Sequence, residues 1–392
     1  MLTSLLQIIK REFKHFFSTP IAMMIMFGGP LVFGIIIGLV YINAKPTKLP
    51  IIVVDKDRTI LSASVVDALN DNQYLKVIRV SPDDKDAFEA LRTMKVEGVV
   101  TIPEHFEGDI QQKRYPQIQV DINSINILTS NYINTGIAKT LGTLNVGMEV
   151  ATMQKKGMPT TIAMTQFESF RVNTDRFYNK ESNYLRFLWP GITRGILQQI
   201  FLLVIALIFA KEFEKRTFHQ LFKFSKSTWV IMIGKTLPYI ILMLAIWLGM
   251  LYIMYPLFKI DLIGNFWVML LFSLLFLLSL LFMGVLASLI FPTMLMSTEV
   301  LMIIATPSFI VSGYTWPVSQ MPIVIQYIAN VLPLTHFLSG FRKIAFMGNN
   351  IIDVLPEIKA LTVIFLITAL ISFIILKLRI RKELRLQMQI ER

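Results

Sequence analysis

Residues 21–42 contain no charged side chain. A helix of about 20 apolar residues is what the hydrocarbon of a bilayer demands. In water, such a run needs burial on every side. The feature recurs down the chain. Residues 185–210 are apolar apart from Arg186 and Arg194, and uncharged runs follow at 236–258, 266–291, 300–312 and 360–376. The last is short but spans if its flanking bases reach back to the interface. Ile42 stands where cleavage after Ala44 would need a small residue, so 21–42 is read as a retained anchor. Only 16% of residues are charged, against about a quarter in soluble domains. The expected fold is therefore an α-helical polytopic membrane protein with six transmembrane helices.

The formal net charge is +12, and its location decides what it means. Lys10, Arg11 and Lys14 precede the first run. Lys211, Lys215, Arg216, Lys223, Lys226 and Lys235 lie between the second and third, and Lys377, Arg379, Arg381, Lys382, Arg385 and Arg392 follow the last. Under a six-span count all three clusters share one side, which the positive-inside rule makes cytoplasmic, with both termini there. The basic surplus is thus topological and does not indicate nucleic acid. Cysteine is absent, which excludes disulfides and thiolate metal sites, and His15, His105, His219 and His336 form no ligand spacing, so no metal site is expected.

Between the first two runs the pattern becomes that of a soluble domain. Short apolar or alternating stretches at 51–55, 74–80, 98–102 and 117–122 read as strands. Residues 62–72 and 84–95 read as helices, and 125–156 as a long helix ended by Gly157 and Pro159. The alternation predicts an inserted extracytoplasmic α/β domain. The long helix either stands off or docks a partner, or is an ordinary domain helix. Residues 300–341 are uncharged but broken by Pro307, Pro317, Pro322 and Pro333. They predict one span to about residue 312, then an element that dips into or lies on the membrane. A seventh span competes with this reading, but it would move the C-terminal bases outside.

Two further segments are placed at the inner surface. Leu2, Leu6, Ile9, Phe13 and Phe16 form one helical stripe with Gln7, Lys10, Arg11 and Lys14 opposite. This suggests a helix lying on the membrane, or alternatively an orientation signal for the first span. Residues 211–226 carry Glu212 and Glu214, poised to reach Arg216 and the neighbours Lys215 and Phe218 if helical. Phe213, Phe218, Leu221, Phe222 and Phe224 need a partner surface, because a short loop has no core of its own. That is the pattern of a docking helix.

These residues resemble the permeases of the type-2 ABC exporter superfamily, in the subgroup with a large extracytoplasmic domain after the first span. The family's Arg-Glu-x-Glu-x-Gly-Thr-x-x-Gln-Leu motif is similar to Lys211-Glu212-Phe213-Glu214-Lys215-Arg216-Thr217 with Gln220-Leu221. Gly234-Lys235, Pro238-Tyr239, Pro307-Ser308-Phe309, Ser312-Gly313, Trp316-Pro317, Met321-Pro322, Asn330, Pro333-Leu334-Thr335 and Phe341-Arg342 follow in the family's order. Gly98 to Pro103, with Phe106, resembles the subgroup's outer domain. Arg216 replaces the usual Gly, and Ser225-Lys226 stands where Thr-Pro is common.

The resemblance implies one permease subunit of an ATP-driven exporter in the bacterial inner membrane. It would work beside a separate ATPase and a second copy or sister permease, with a periplasmic adaptor and outer-membrane channel as further partners. The cargo would be a small molecule, drug, lipid or ion. Glu212, Glu214, Lys215, Arg216, Thr217, Gln220 and Leu221 would form the loop that receives ATPase movement. The implied organisation is an interfacial helix at 1–18, a first span at 19–44 and an α/β domain with its long helix at 45–185. Five spans follow at 186–378, with a coupling loop at 211–228 and an outward re-entrant or interfacial element at 314–345. A basic cytoplasmic tail closes the chain at 379–392.

The chain itself is expected to be no enzyme. Gly234-Lys235-Thr236 mimics the end of a phosphate-binding loop, but Trp229 occupies the position of its first glycine. No other catalytic constellation appears. No cofactor is expected on this chain, with ATP and Mg on the partner. Within the membrane Arg194, Gln198, Gln199 and Glu299 are the candidates for the transport pathway. Glu299 lines the access route, pairs with another helix's base, or sits inert at the interface. Arg194 snorkels or faces the pathway, and the two glutamines line the path or bond helix to helix. An alternative function is ATPase-coupled transmembrane signalling or mechanical transmission without solute transport.

Overall fold

The computed structural model describes residues 2–160, 162, 175 and 177–390. The chain divides into two compact units, Lys45–Asp175 and the remainder, Met1–Ala44 with Arg176–Arg392.

The inserted unit is a four-stranded sheet with helices. In chain order it runs β1 (Leu49–Asp55), α1 (Ile60–Asn70), β2 (Leu75–Ser81), α2 (Asp84–Arg92), β3 (Gly98–Ile102), α3 (Phe106–Gln111), β4 (Gln119–Ile122) and α4 (Ile127–Lys155). The sheet order is β2-β1-β3-β4, with β1 parallel to β2 and β3, and β4 antiparallel to β3. Helical crossovers cover both faces, so the central strand must be apolar throughout. Ile51 and Val53 join Val65, Leu69, Ile133 and Ile137 on one face. Ile52 and Val54 join Ala87, Val96 and Val99 on the other. Thr59 and Ser62 form a capping box at the start of α1. Sequence reading missed α3, which begins after His105 in the left-handed conformation.

In the other unit six helices are long and apolar enough to cross a membrane. The first span is Pro20–Val40, the second Tyr184–Glu214, the third Thr228–Leu257, the fourth Phe266–Ile290 and the fifth Met294–Val311. The sixth belongs to the helix Leu355–Ile390, so Arg379, Arg381, Lys382 and Arg385 continue this helix and do not form a separate tail, while Arg392 lies outside the described residues. The prolines of 314–345 yield a short arm, Ile323–Val331, and a long arm, Pro333–Met347, bent by 80°. Leu332 supplies the extended residue that a following proline favours.

The second span is the hub. Its apolar window is 72% buried, against 22% for the first and fifth spans and 17% for the sixth. Trp189 donates Nε1–H to the Gly34 carbonyl at 2.8 Å, tying the second span to the first. Gly191 leaves room for the Tyr314 ring, which a Cβ would meet at 2.3 Å. Tyr314 in turn donates to the Phe187 carbonyl at 2.6 Å, and Arg342 of the long arm caps that ring at 3.9 Å.

Candidate functional site

The N-terminal helix, Leu2–Phe17, packs on the third span through Ile8, Glu12 and Phe16. This buried face is only partly the apolar stripe expected from sequence: Leu2 and Leu6 are exposed. Gly234 permits the close approach, because a Cβ there would meet Ile8 Cγ2 at 2.7 Å.

Four charges meet beneath this contact. Arg11 donates through both terminal nitrogens to the two carboxylate oxygens of Glu212, at 2.7 and 3.1 Å. Lys235 Nζ donates to Glu12 Oε1 at 2.8 Å and to Glu212 Oε1 at 3.0 Å. Arg11 also reaches Glu12 at 3.3 Å, and the Thr217 hydroxyl donates to Glu212 Oε2. The side chains of Lys235, Glu12 and Glu212 are 1%, 4% and 7% exposed. Two acids and two bases balance, as buried charge requires. Burial opposes the charge on Arg11, but its hydrogen bond to Glu212 and the fields of Glu212 and Glu12 raise its pKa above the ordinary value. The cluster thus joins the N-terminal helix, the end of the second span and the third span.

The expected pairings within residues 211–221 are corrected by these contacts. The second helix runs on to Glu214, and Arg216 then takes a left-handed φ of 54°, which turns the chain away before Glu212 and Arg216 can pair. Glu214 does not serve its neighbours. Its Oε2 accepts the Met294 N–H at 2.6 Å, placing an acid at the N-terminus of the fifth span. The aromatic residues also find partners within this chain. Phe213, Phe218 and Phe222 pack ring to ring at 5.1 and 5.4 Å, Arg379 lies 4.2 Å over Phe213, and Leu221 is buried. Glu212, Thr217 and Leu221 are therefore framework, while Glu214, Lys215, Arg216 and Gln220 are exposed.

The left-handed turn at Arg216 explains why glycine suits that position. A side chain there costs about 1 kcal/mol. Arg216→Gly is expected to raise the unfolding midpoint of the purified protein; a lowered midpoint in a thermal scan refutes this account.

Just before this loop the second span breaks at Ala206. Ser288 Oγ of the fourth span accepts the N–H groups of Phe209 and Ala210 at 2.7 and 2.9 Å. Ser297 of the fifth span donates to the Ala206 carbonyl at 3.1 Å. These hydroxyls replace helical bonds where lipid offers none. Ser288→Ala should orphan both amides, at about 1–3 kcal/mol each. The expected readouts are a lowered thermal midpoint and faster amide exchange confined to residues 206–212. Unchanged exchange there would refute the assignment.

Deeper in the bundle, Arg194 does not snorkel. It is 1% exposed, because the long arm and third span close over it. Its guanidinium donates to the Tyr255 hydroxyl at 3.2 Å and lies 4.8 Å from the Phe341 ring centre, while Nε and Nη1 have no hydrogen-bond partner. Gln198 donates to Ser308 at 2.6 Å and Gln199 to Thr306 at 2.9 Å, clamping the second span to the fifth. Glu299 lies more than a turn inside the fifth span, not at its start, because that helix begins at Met294. It is exposed on the face that carries Ile303, Thr306 and Ile310, and among the described residues it has no ionic partner.

Sequence reading missed Glu12 and Lys235 as partners of Glu212. The available signals were an acid spaced four residues from Ile8 and from Phe16, and a lysine inside an apolar run. Among the described residues no group of His, Cys, Asp and Glu could hold a metal ion.

Comparison with known proteins agrees with this architecture. The chain is 24% identical over 340 residues to the probable multidrug ABC transporter permease YbhS of Escherichia coli (strain K12), covering 85% of each chain. It is 23% identical over 331 residues to the inner membrane transport permease YhhJ of the same strain, covering 83% of this chain and 84% of that one. Nodulation protein J of Rhizobium leguminosarum bv. trifolii is 35% identical over 78 residues, 20% of this chain and 29% of that protein. A family model described as ABC-2 family transporter protein matches residues 21–374. With six membrane-crossing helices and that match over most of its length, the chain belongs to the ABC-2 transporter family and is the membrane permease subunit of an ABC transporter.

Proposed function

We propose that this permease exports a small amphiphilic molecule from the cytoplasm or inner membrane, driven by a separate ABC ATPase that holds ATP and Mg. The ATPase seats on the exposed face of residues 211–228, through Glu214, Lys215, Arg216 and Gln220. The observation that carries this reading is the ion-paired base beneath that face. A push on the loop reaches the second and third spans through Glu212 and Lys235, and the fifth through Glu214.

The positive-inside count puts both termini and this loop in the cytoplasm. The inserted unit, which enters after the first span and leaves before the second, falls to the other side. A second permease chain covers the fifth span. An ionisable side chain such as Glu299 is not left facing lipid, and Glu299 with Thr306 gives that shared face a polar stripe for cargo to follow.

The chain has no cysteine, so Gln220→Cys and Ser64→Cys each introduce a lone thiol. In inverted inner-membrane vesicles an impermeant maleimide is expected to modify position 220 and spare position 64, and modification at 220 should release the ATPase. Modification of position 64 alone would overturn the orientation. An ATPase retained after full modification at 220 would overturn the contact.

A further inference from the structure

The inserted unit holds a cavity of about 440 Å³ between the second half of α4, α3 and the loop after it, within the size range of small-molecule sites. Its origin lies in α4. Ile133, Ile137, Leu141, Leu144 and Met148 recur at the spacing of one helical face. The core of the unit buries Ile133 and Ile137, but Leu141, Leu144 and Met148 are only half covered and line the cavity. Val65 and Phe106, 2% and 3% exposed, line it as well, so it reaches that core. Gly142 stands on its wall with no atom within 4 Å of where a Cβ would lie. Packing among the described residues therefore does not call for glycine there, although glycine within a helix costs about 1 kcal/mol relative to alanine. The loop is strained too: Lys113 and Tyr115, both on the lining, take left-handed φ values of 58° and 53°. Strain of this kind collects at ligand clamps.

The charges name the class of ligand. Glu149 is the one acid on the lining. It is half-buried, and among the described residues its carboxylate has neither an ionic nor a hydrogen-bond partner. Such a carboxylate, on a largely apolar lining, favours a cation that supplies the partner. Phe106 and Tyr115 add aromatic rings, whose faces attract cations and disfavour anions. Lys113 is the one base on the lining, but it is exposed, and its long side chain keeps its charge in water.

We infer that this cavity binds an amphiphilic organic cation, with its apolar body against Phe106, Leu141, Leu144 and Met148 and its ammonium at Glu149. That the cation is cargo rests on the export reading; that it binds here does not.

The test uses the full-length permease in phosphatidylcholine nanodiscs without ATP or partner. Failure here is therefore separable from failure of ATP-driven transport. The chain has no cysteine and Gly142 has room for a side chain, so Gly142→Cys places a lone thiol on the cavity wall. Its rate of modification by methyl methanethiosulfonate, a small neutral reagent, is the readout. Octylammonium should protect this thiol in a saturable way and leave a thiol introduced by Ser64→Cys, which is exposed and not on the lining, unprotected. Octyl sulfate and octanol, matched in chain length, should protect position 142 at least about tenfold less well. Adding Glu149→Gln should raise the half-protecting concentration of octylammonium about tenfold with an unchanged melting temperature. Adding Lys113→Ala should lower that concentration or leave it unchanged. An unprotected thiol at 142, equal protection at 64, protection by octyl sulfate or octanol as good as by octylammonium, or protection unaltered by Glu149→Gln overturns the inference.

Discussion

Glu212→Ala is expected to destabilise the permease by about 3–5 kcal/mol, the scale for breaking a buried ion pair from one side. The magnitude follows from what is left behind. Arg11 and Lys235 would share Glu12 alone, with the Lys235 side chain 1% exposed and so shielded from the solvent that could take the surplus charge. Thr217 would lose its acceptor as well. Glu12→Gln alone and Lys235→Met alone should be damaging for the same reason, each leaving an uncompensated charge. The double variant restores neutrality, because Arg11 and Glu212 keep their two-point pair. Its cost should fall short of the sum of the singles by about 1–3 kcal/mol. Thermal unfolding in detergent measures all four proteins. Strict additivity would show that the four charges do not act as one unit. ATP-driven transport should follow the same order, lowest in the single variants, since the cluster is the joint between loop and spans.

How much of this was legible in the sequence depends on the range of the interactions. The spans were legible because the absence of charge is a local property, and so was the alternation of β1 and β3 with their helices. The bend in 314–345 was foreshadowed by its prolines, whose missing N–H groups act within one turn. The limits of the third and fifth spans were misplaced because Lys235 and Glu299 look like boundaries in sequence, while in the structure one is neutralised by Glu12 and Glu212 and the other lies on an exposed face. The motif marked Glu212 as special but did not disclose its partner. Arg11 is 201 positions away, and no periodicity reaches that far. The aromatic residues after Glu212 were assigned to a foreign surface because the bundle that buries Phe218 and Leu221 exists only after folding.

Arg194 gives the sharpest separation of stability from function. Its guanidinium is enclosed with one hydrogen bond, to Tyr255, and two aromatic neighbours, and two of its nitrogens donate to nothing. An unpaired cation within the membrane is a net cost, and the rings recover about 0.5–2 kcal/mol of it. Arg194→Leu should therefore leave the fold as stable as before, or more stable by about 1–4 kcal/mol. If Arg194 serves the transport path, as its missing partners suggest, transport should fall at least about tenfold. Arg194→Lys keeps the charge without the planar fork and should retain part of the activity. The decisive pair of measurements is the melting temperature and the initial rate of ATP-driven transport in proteoliposomes. A leucine variant that melts lower yet transports normally would show that Arg194 is only a packing residue whose missing donors are met by water.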